Sequence, residues 1–184
     1  QGDQVLTDNL AREHWWVAPV YYQAEIAYRR VKRMLPPEIY ISNDSDQRLL
    51  FLNGARWWFR SGEKPDNLYG EDVASMVGDE VSRMREEAHH AMRTTITATG
   101  GPMRLIGNVK GRRNWAWRLA RRAEAGAPDM HFARFTAHDA IDAGLFSEAE
   151  LRAAQGDLPD HVFRELYFAE ASDDEGNPFG IDAI

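Results

Sequence analysis

Val73-Ala74-Ser75-Met76-Val77-Gly78-Asp79-Glu80 is the stretch on which the fold turns. It begins as a short apolar run and passes straight into a glycine and two acids. A run of that length, bounded by a turn signal, reads as a small buried strand. Helix follows through Ala88–Met92, and Thr97–Pro102 breaks the chain. Met103–Ile106 reads as the next strand and ends at Gly107-Asn108-Val109-Lys110-Gly111.

Upstream, His14-Trp15-Trp16-Val17-Ala18-Pro19-Val20 is an aromatic and β-branched run closed by proline, again strand-like. Before it, residues 5–13 read as a short helix or helix tail. Gln23–Leu35 carries Ile26, Arg29, Arg30 and Met34 at helical spacing and stops before Pro36-Pro37. Residues 39–41, 48–52 and 55–59 read as short strands, with Asn53-Gly54 a strong hairpin signal between the last two. Downstream, Asn114–Ala125 reads as a helix closed by Gly126, and Met130–Phe135 as a strand. Ser147–Glu150 opens a helix with a capping box. Asp160–Phe168 is a last helix, and Asp173–Pro178 a polar linker.

Strands alternating with helices imply an α/β fold, a mostly parallel sheet covered by helices on both faces. Ligands of such sheets sit at the carboxyl ends of the strands. Asp79-Glu80 and Gly107–Gly111 both fall there.

The bulk properties narrow the class. The 184 residues are 43% apolar and 28% charged, enough for one domain with a core and too little for two large ones. No stretch approaches the roughly 18–20 apolar residues that cross a bilayer, so no membrane partner is expected. The start has no basic-then-apolar leader. The absence of cysteine excludes disulfide frameworks and cysteine-based metal sites, and fits a reducing interior. A net charge of −7 argues against a surface that coats nucleic acid everywhere. The charge is uneven, however: Lys110, Arg112, Arg113, Arg118, Arg121 and Arg122 lie together with no acid among them.

Asp79-Glu80 has the form of the acidic element that phosphoryl-transfer sites place at a strand end. Such chemistry needs a carboxylate to hold Mg²⁺, usually through water, and a second group to orient or deprotonate the attacking water. Adjacent strand-end residues point in different directions and can divide those tasks. Asp79 is the candidate metal partner and Glu80 the candidate catalytic carboxylate. In a chain with 29 acids, such a pair taken alone is often an ordinary helix start.

Flanking segments add weight. Trp16–Pro19 followed by Gln23-Ala24, then Arg60-Ser61-Gly62-Glu63-Lys64-Pro65-Asp66-Asn67-Leu68-Tyr69-Gly70, then the acidic strand end, then Gly107–Gly111, stand in this order. In this order and spacing the chain resembles the large terminase subunits of tailed phages and prophages, over nearly its whole length. The resemblance implies an ASCE-type P-loop NTPase fold incomplete at its N-terminus. Residues 1–170 would be the ATPase domain, and 171–184 a linker toward an absent nuclease domain, with Asn177-Pro178-Phe179-Gly180 as its lead-in. It implies an ATPase with Mg²⁺ and ATP, acting in the host cytoplasm. Its partners would be double-stranded DNA, the portal protein and the small terminase subunit, and it would work as a homo-oligomeric ring. Asn108 and Lys110 would belong to the coupling segment, although many family members have Thr-Pro where this chain has Asn108-Val109.

Other departures matter more. No Gly-x-x-x-x-Gly-Lys-Ser/Thr occurs in the 184 residues. The resemblance places that loop just before Gln1, so the chain is expected to start late and to show little ATPase activity alone. Tyr69 stands where the family often has an arginine finger, with Arg60 and Arg56 as candidate substitutes. A non-catalytic DNA- or portal-binding remnant of the fold, or a helicase-like P-loop ATPase, are the alternatives.

The basic stretch interleaves Trp115 and Trp117. Trp115 and Leu119 read as a buried helix face, whereas Arg112 and Arg113 are candidate DNA-phosphate contacts. The six histidines lack zinc-site spacing. Trp15, Trp16, Trp57 and Trp58 read as packing.

Overall fold

The computed structural model describes residues 13–172. The chain forms two compact units, Gln1–Gly107 and Asn108–Ile184. The helix expected at residues 5–13 lies outside the described residues except for Glu13, which opens a strand instead, and the linker expected at 173–178 lies outside them entirely.

The first unit runs β1 (Glu13–Ala18), α1 (Tyr21–Met34), β2 (Tyr40–Asn43), β3 (Arg48–Phe51), β4 (Arg56–Ser61), β5 (Val73–Gly78), α2 (Glu86–Thr95) and β6 (Met103–Leu105). They form one six-stranded sheet in the order β2-β3-β4-β1-β5-β6. β4, β1, β5 and β6 are mutually parallel, while β2 and β3 add as antiparallel strands at one side. Asn53-Gly54 makes the β3–β4 turn as its sequence predicts, with Gly54 at φ 84°.

The aromatic run of β1 is explained by its central position. Trp16 and Ala18 point to one face, where Phe59 and Leu49 join Ala24 and Tyr28 of α1 in a core cluster. Trp15 and Val17 point to the other face and are buried, in register with Met76 and Gly78 of β5. Met92 of α2 reaches the Gly78 position on that face. A strand buried on both sides shows a continuous apolar run rather than alternation.

The second unit is helical among the described residues: α3 (Trp115–Glu124), α4 (Ala137–Asp142), α5 (Glu148–Asp157) and α6 (Asp160–Phe168). Asn114 caps α3, its side chain accepting from the Ala116 N–H at 2.9 Å. Met130–Phe135 is irregular rather than a strand. No strand of this unit is there to pair with it among the described residues, and an unpartnered strand leaves its peptide groups unsatisfied. Ser147 accepts from the Glu150 N–H at 3.2 Å, one half of the expected box. The reciprocal box forms instead at Thr136 and Asp139 of α4. Phe163 is buried, stacked on Tyr167 and edge-on to Phe168. No helix among the described residues is long and apolar enough to cross a membrane.

Candidate functional site

Parallel pairing brings the carboxyl ends of β4, β1, β5 and β6 to one edge of the sheet. Backbone bonds continue the register beyond the strands. The Gly62 N–H donates to the Ala18 carbonyl, the Asp79 N–H to the Val17 carbonyl and the Ile106 N–H to the Gly78 carbonyl, each at 2.8 Å. Asp79 and Glu80 leave β5 at this edge, both half-buried. Neither carboxylate is engaged in a side-chain hydrogen bond or ion pair among the described residues. Glu80 has left-handed backbone, φ 50° and ψ 39°.

The same edge holds groups to which sequence reading gives no role. The Glu63 carboxylate accepts from the Ser61 hydroxyl at 3.0 Å and from the Tyr21 N–H at 3.3 Å. Tyr21 is the first residue of α1, whose first turn has no acid of its own, so Glu63 supplies the negative charge that the helix end favours. Arg85 donates to the Glu63 carbonyl at 2.6 Å, and Arg83 is exposed. The signal that could have found Glu63, Arg83 and Arg85 is position, since each lies within five residues of Ser61 or Glu80; nothing local points to Tyr21.

Arg60 is sandwiched between Trp15 and Trp58, its guanidinium 4.2 and 4.7 Å from the two ring centroids. It lies 3.7 Å from Glu71, and burial lowers its pKa against the opposing pull of Glu71 and Glu13. This is packing within its own sheet, with no freely presented guanidinium. Arg56 opens β4 at the opposite, amino-terminal edge and is ion-paired with Glu13. Tyr69 is 48% exposed.

Asn108 and Lys110 open the second unit, and both are exposed. Arg112 and Arg113 are exposed as well, while Arg121 stacks on Trp117 at 4.2 Å and pairs with Glu124. In the first unit, α1 carries Arg29, Arg30 and Arg33 on its exposed side. Arg29 pairs with Glu25, whereas Arg30 and Arg33 have no ion pair among the described residues. Among those residues no group of three or more His, Cys, Asp or Glu could hold a metal.

A parallel-stranded sheet flanked by helices, with an acid pair at the tip of an inner strand, is an architecture of the P-loop NTPase type. The chain shares it with solved terminase structures. The large terminase ATPase domain of Thermus phage P74-26 superposes with a TM-score of 0.74 at 21% identity, covering 91% of this chain and 79% of that one. The large terminase of phage HK97 gives 0.72 at 16% identity, over 91% of this chain and 43% of that one. A large terminase from a thermophilic bacteriophage, solved in complex with ADP, gives 0.68 at 18% identity, over 89% and 42%. At these identities the likeness is one of fold, and at that level the resemblance read from the motif order holds. No family model and no curated protein matches the chain.

Proposed function

We propose that this chain is the ATPase region of a viral DNA-packaging motor, coupling ATP hydrolysis to movement of double-stranded DNA into a procapsid. The observation that supports it most is the unpaired Asp79-Glu80 at the carboxyl tip of β5, in a fold shared with terminase ATPase domains. Glu80 serves as the carboxylate that orients and deprotonates the attacking water. Asp79 is the residue that would hold Mg²⁺. Among the described residues no third carboxylate or histidine joins the pair, a donor set that would suit an ion that keeps several waters and leans on substrate phosphates. Mg²⁺, when bound, neutralises the charge of the β- and γ-phosphates.

Turnover also requires a loop that grips those phosphates, and residues 1–184 hold no Walker A signature. The sheet has a place for its strand: β6 is the outer strand among the described residues. A further parallel strand on its free edge would end one strand away from Asp79. Residues 1–184 alone are therefore expected to show little ATPase activity. Asn108 and Lys110 serve in coupling, and Arg112 and Arg113 contact DNA phosphates. The portal protein, the small terminase subunit and neighbouring copies in a ring are its partners in the bacterial cytoplasm.

The test is Glu80→Gln in the full-length protein, which is expected to bind ATP normally and to lose turnover by several orders of magnitude. Near-normal turnover in that variant would remove Glu80 from the mechanism. Robust Mg²⁺-dependent turnover by residues 1–184 would show that the phosphate grip lies within them.

A further inference from the structure

Glu80 occupies backbone space that glutamate avoids. Left-handed conformation costs an L-residue a close approach of Cβ to the carbonyl oxygen, and glutamate lacks the short side chain that lets Asn or Asp compensate locally. Such a conformation persists only where the surroundings impose it. On the upstream side, the Asp79 N–H is held by the Val17 carbonyl of β1. On the downstream side, the Val81 N–H donates to the Ile106 carbonyl at 3.0 Å, and the Arg83 N–H to the Glu80 carbonyl at 2.9 Å.

The tail of β6 reaches that peptide because residue 107 has no side chain. A Cβ on Gly107 would lie 3.0 Å from the Val81 nitrogen and 3.4 Å from both the Glu80 carbonyl carbon and the Ser82 nitrogen. All three are backbone atoms, which cannot rotate away. Gly78 closes the other side, where a Cβ would meet Val81 Cγ1 at 2.8 Å and Leu105 Cδ2 at 3.0 Å.

We propose that Gly107, with the Ile106 carbonyl beside it, is the positioning residue for Glu80: it clamps the Glu80–Val81 peptide so that the Glu80 backbone stays left-handed, which fixes the direction in which the side chain leaves the backbone. The functional half of this inference rests on the catalytic role given to Glu80 above. The clamp is the last residue of the first unit, and the chain passes from it directly into the second. A displacement of residues 106–107 frees Glu80 to relax to right-handed or extended backbone, which re-aims its carboxylate.

The experiment is a thermal double-mutant cycle on the 184-residue chain, joined to kinetics of the full-length protein. Glu80→Gly removes the conformational penalty and is expected to raise Tm by about 2–4 °C. Ala169→Gly, at the left-handed cap of α6 with φ 51°, calibrates the same relief away from the clamp. In a Gly107→Ala background the clamp is already forced apart, so Glu80→Gly is expected to gain much less. In the full-length protein, Gly107→Ala is expected to lower kcat about tenfold or more with KM nearly unchanged. A Gly107 that merely fills tight space would give additive Tm shifts, which overturns the clamp. So does a Glu80→Gly chain no more stable than the original, a result that remains available if Gly107→Ala does not fold. Turnover surviving Glu80→Gln overturns the catalytic role of Glu80 and leaves the thermal cycle to decide the clamp independently.

Discussion

At the scale of single residues, Arg60 shows how a side chain's role can be hidden by non-local pairing. Its sandwich exists because β1 and β4 align Trp15 with Trp58 and Val17 with Arg60. Nothing within the segment Arg60–Gly70 reveals that two indoles from different strands enclose the guanidinium. Glu80 is a similar case. Its position at a strand tip is legible from an apolar run followed by acids, but its left-handed backbone is not, because that conformation is imposed by Gly107, 27 residues away. For Arg60 the consequence is measurable. Arg60→Ala is expected to cost about 1–2 kcal/mol of stability in denaturant unfolding, through lost cation–π and stem packing. Arg60→Lys should recover little, because a point charge does not replace a plane stacked between two rings. Both variants, once folded, are expected to keep the turnover of the full-length protein. A folded Arg60→Ala protein that has lost turnover selectively would return Arg60 to the finger role.

At the scale of elements, the sequence is most legible where period and boundary signals agree. Tyr21–Met34 and Asp160–Phe168 lie within two residues of the helices their spacing predicts. The strand expected at Met130–Phe135 does not form because a short run of apolar residues specifies a strand only where a partner edge is present. α4 escapes a sequence reading because it is only six residues long, too short to show a period. Its capping box is what makes so short a helix tenable. The Asp139 carboxylate accepts from the Thr136 hydroxyl and the Thr136 N–H, each at 2.7 Å, and these bonds hold its pKa below the usual carboxylate value. A depressed carboxylate contributes stability that is complete above its unfolded pKa and is lost as pH falls through the folded one. Amide protection in the first turn of α4 is therefore expected to persist through neutral and mildly acidic pH, and to be lost only below about 3.8, where unfolded Asp titrates. Loss of that protection at pH 5–6 would assign it to another group. Thr136→Val, which keeps the shape and removes the hydroxyl bond, should move the loss to higher pH.

At the scale of the whole molecule, the net charge of −7 conceals two local basic surfaces, one in each unit. Arg112 and Arg113 in the second are legible as part of an uninterrupted basic run. Arg30 and Arg33 in the first stand in a basic run as well, with Arg29 and Lys32 and no acid between Glu25 and Glu38, but only the helix shows the two set outward, without an ion pair among the described residues. The sheet order is equally beyond reach of local reading, since β1 sits between β4 and β5, strands that follow it by more than 35 residues. If the protein moves DNA, phosphate contacts from these arginines release counterions, and binding must weaken as salt rises. Each phosphate contact to duplex DNA adds about 0.9 to the slope of log K against log salt. Replacing Arg30 and Arg33 by Ala together is expected to flatten that slope by nearly two for a random-sequence duplex, and Arg112→Ala with Arg113→Ala to flatten it as well. The second effect should be smaller, because Arg112 already has a partner within the protein. Affinity should fall equally for unrelated sequences, as expected of contacts that touch only the backbone. A slope unchanged by the α1 pair would clear that helix, and one unchanged by the second pair would clear Arg112 and Arg113. A packaging motor of this fold would then have to hold DNA through residues beyond these two surfaces.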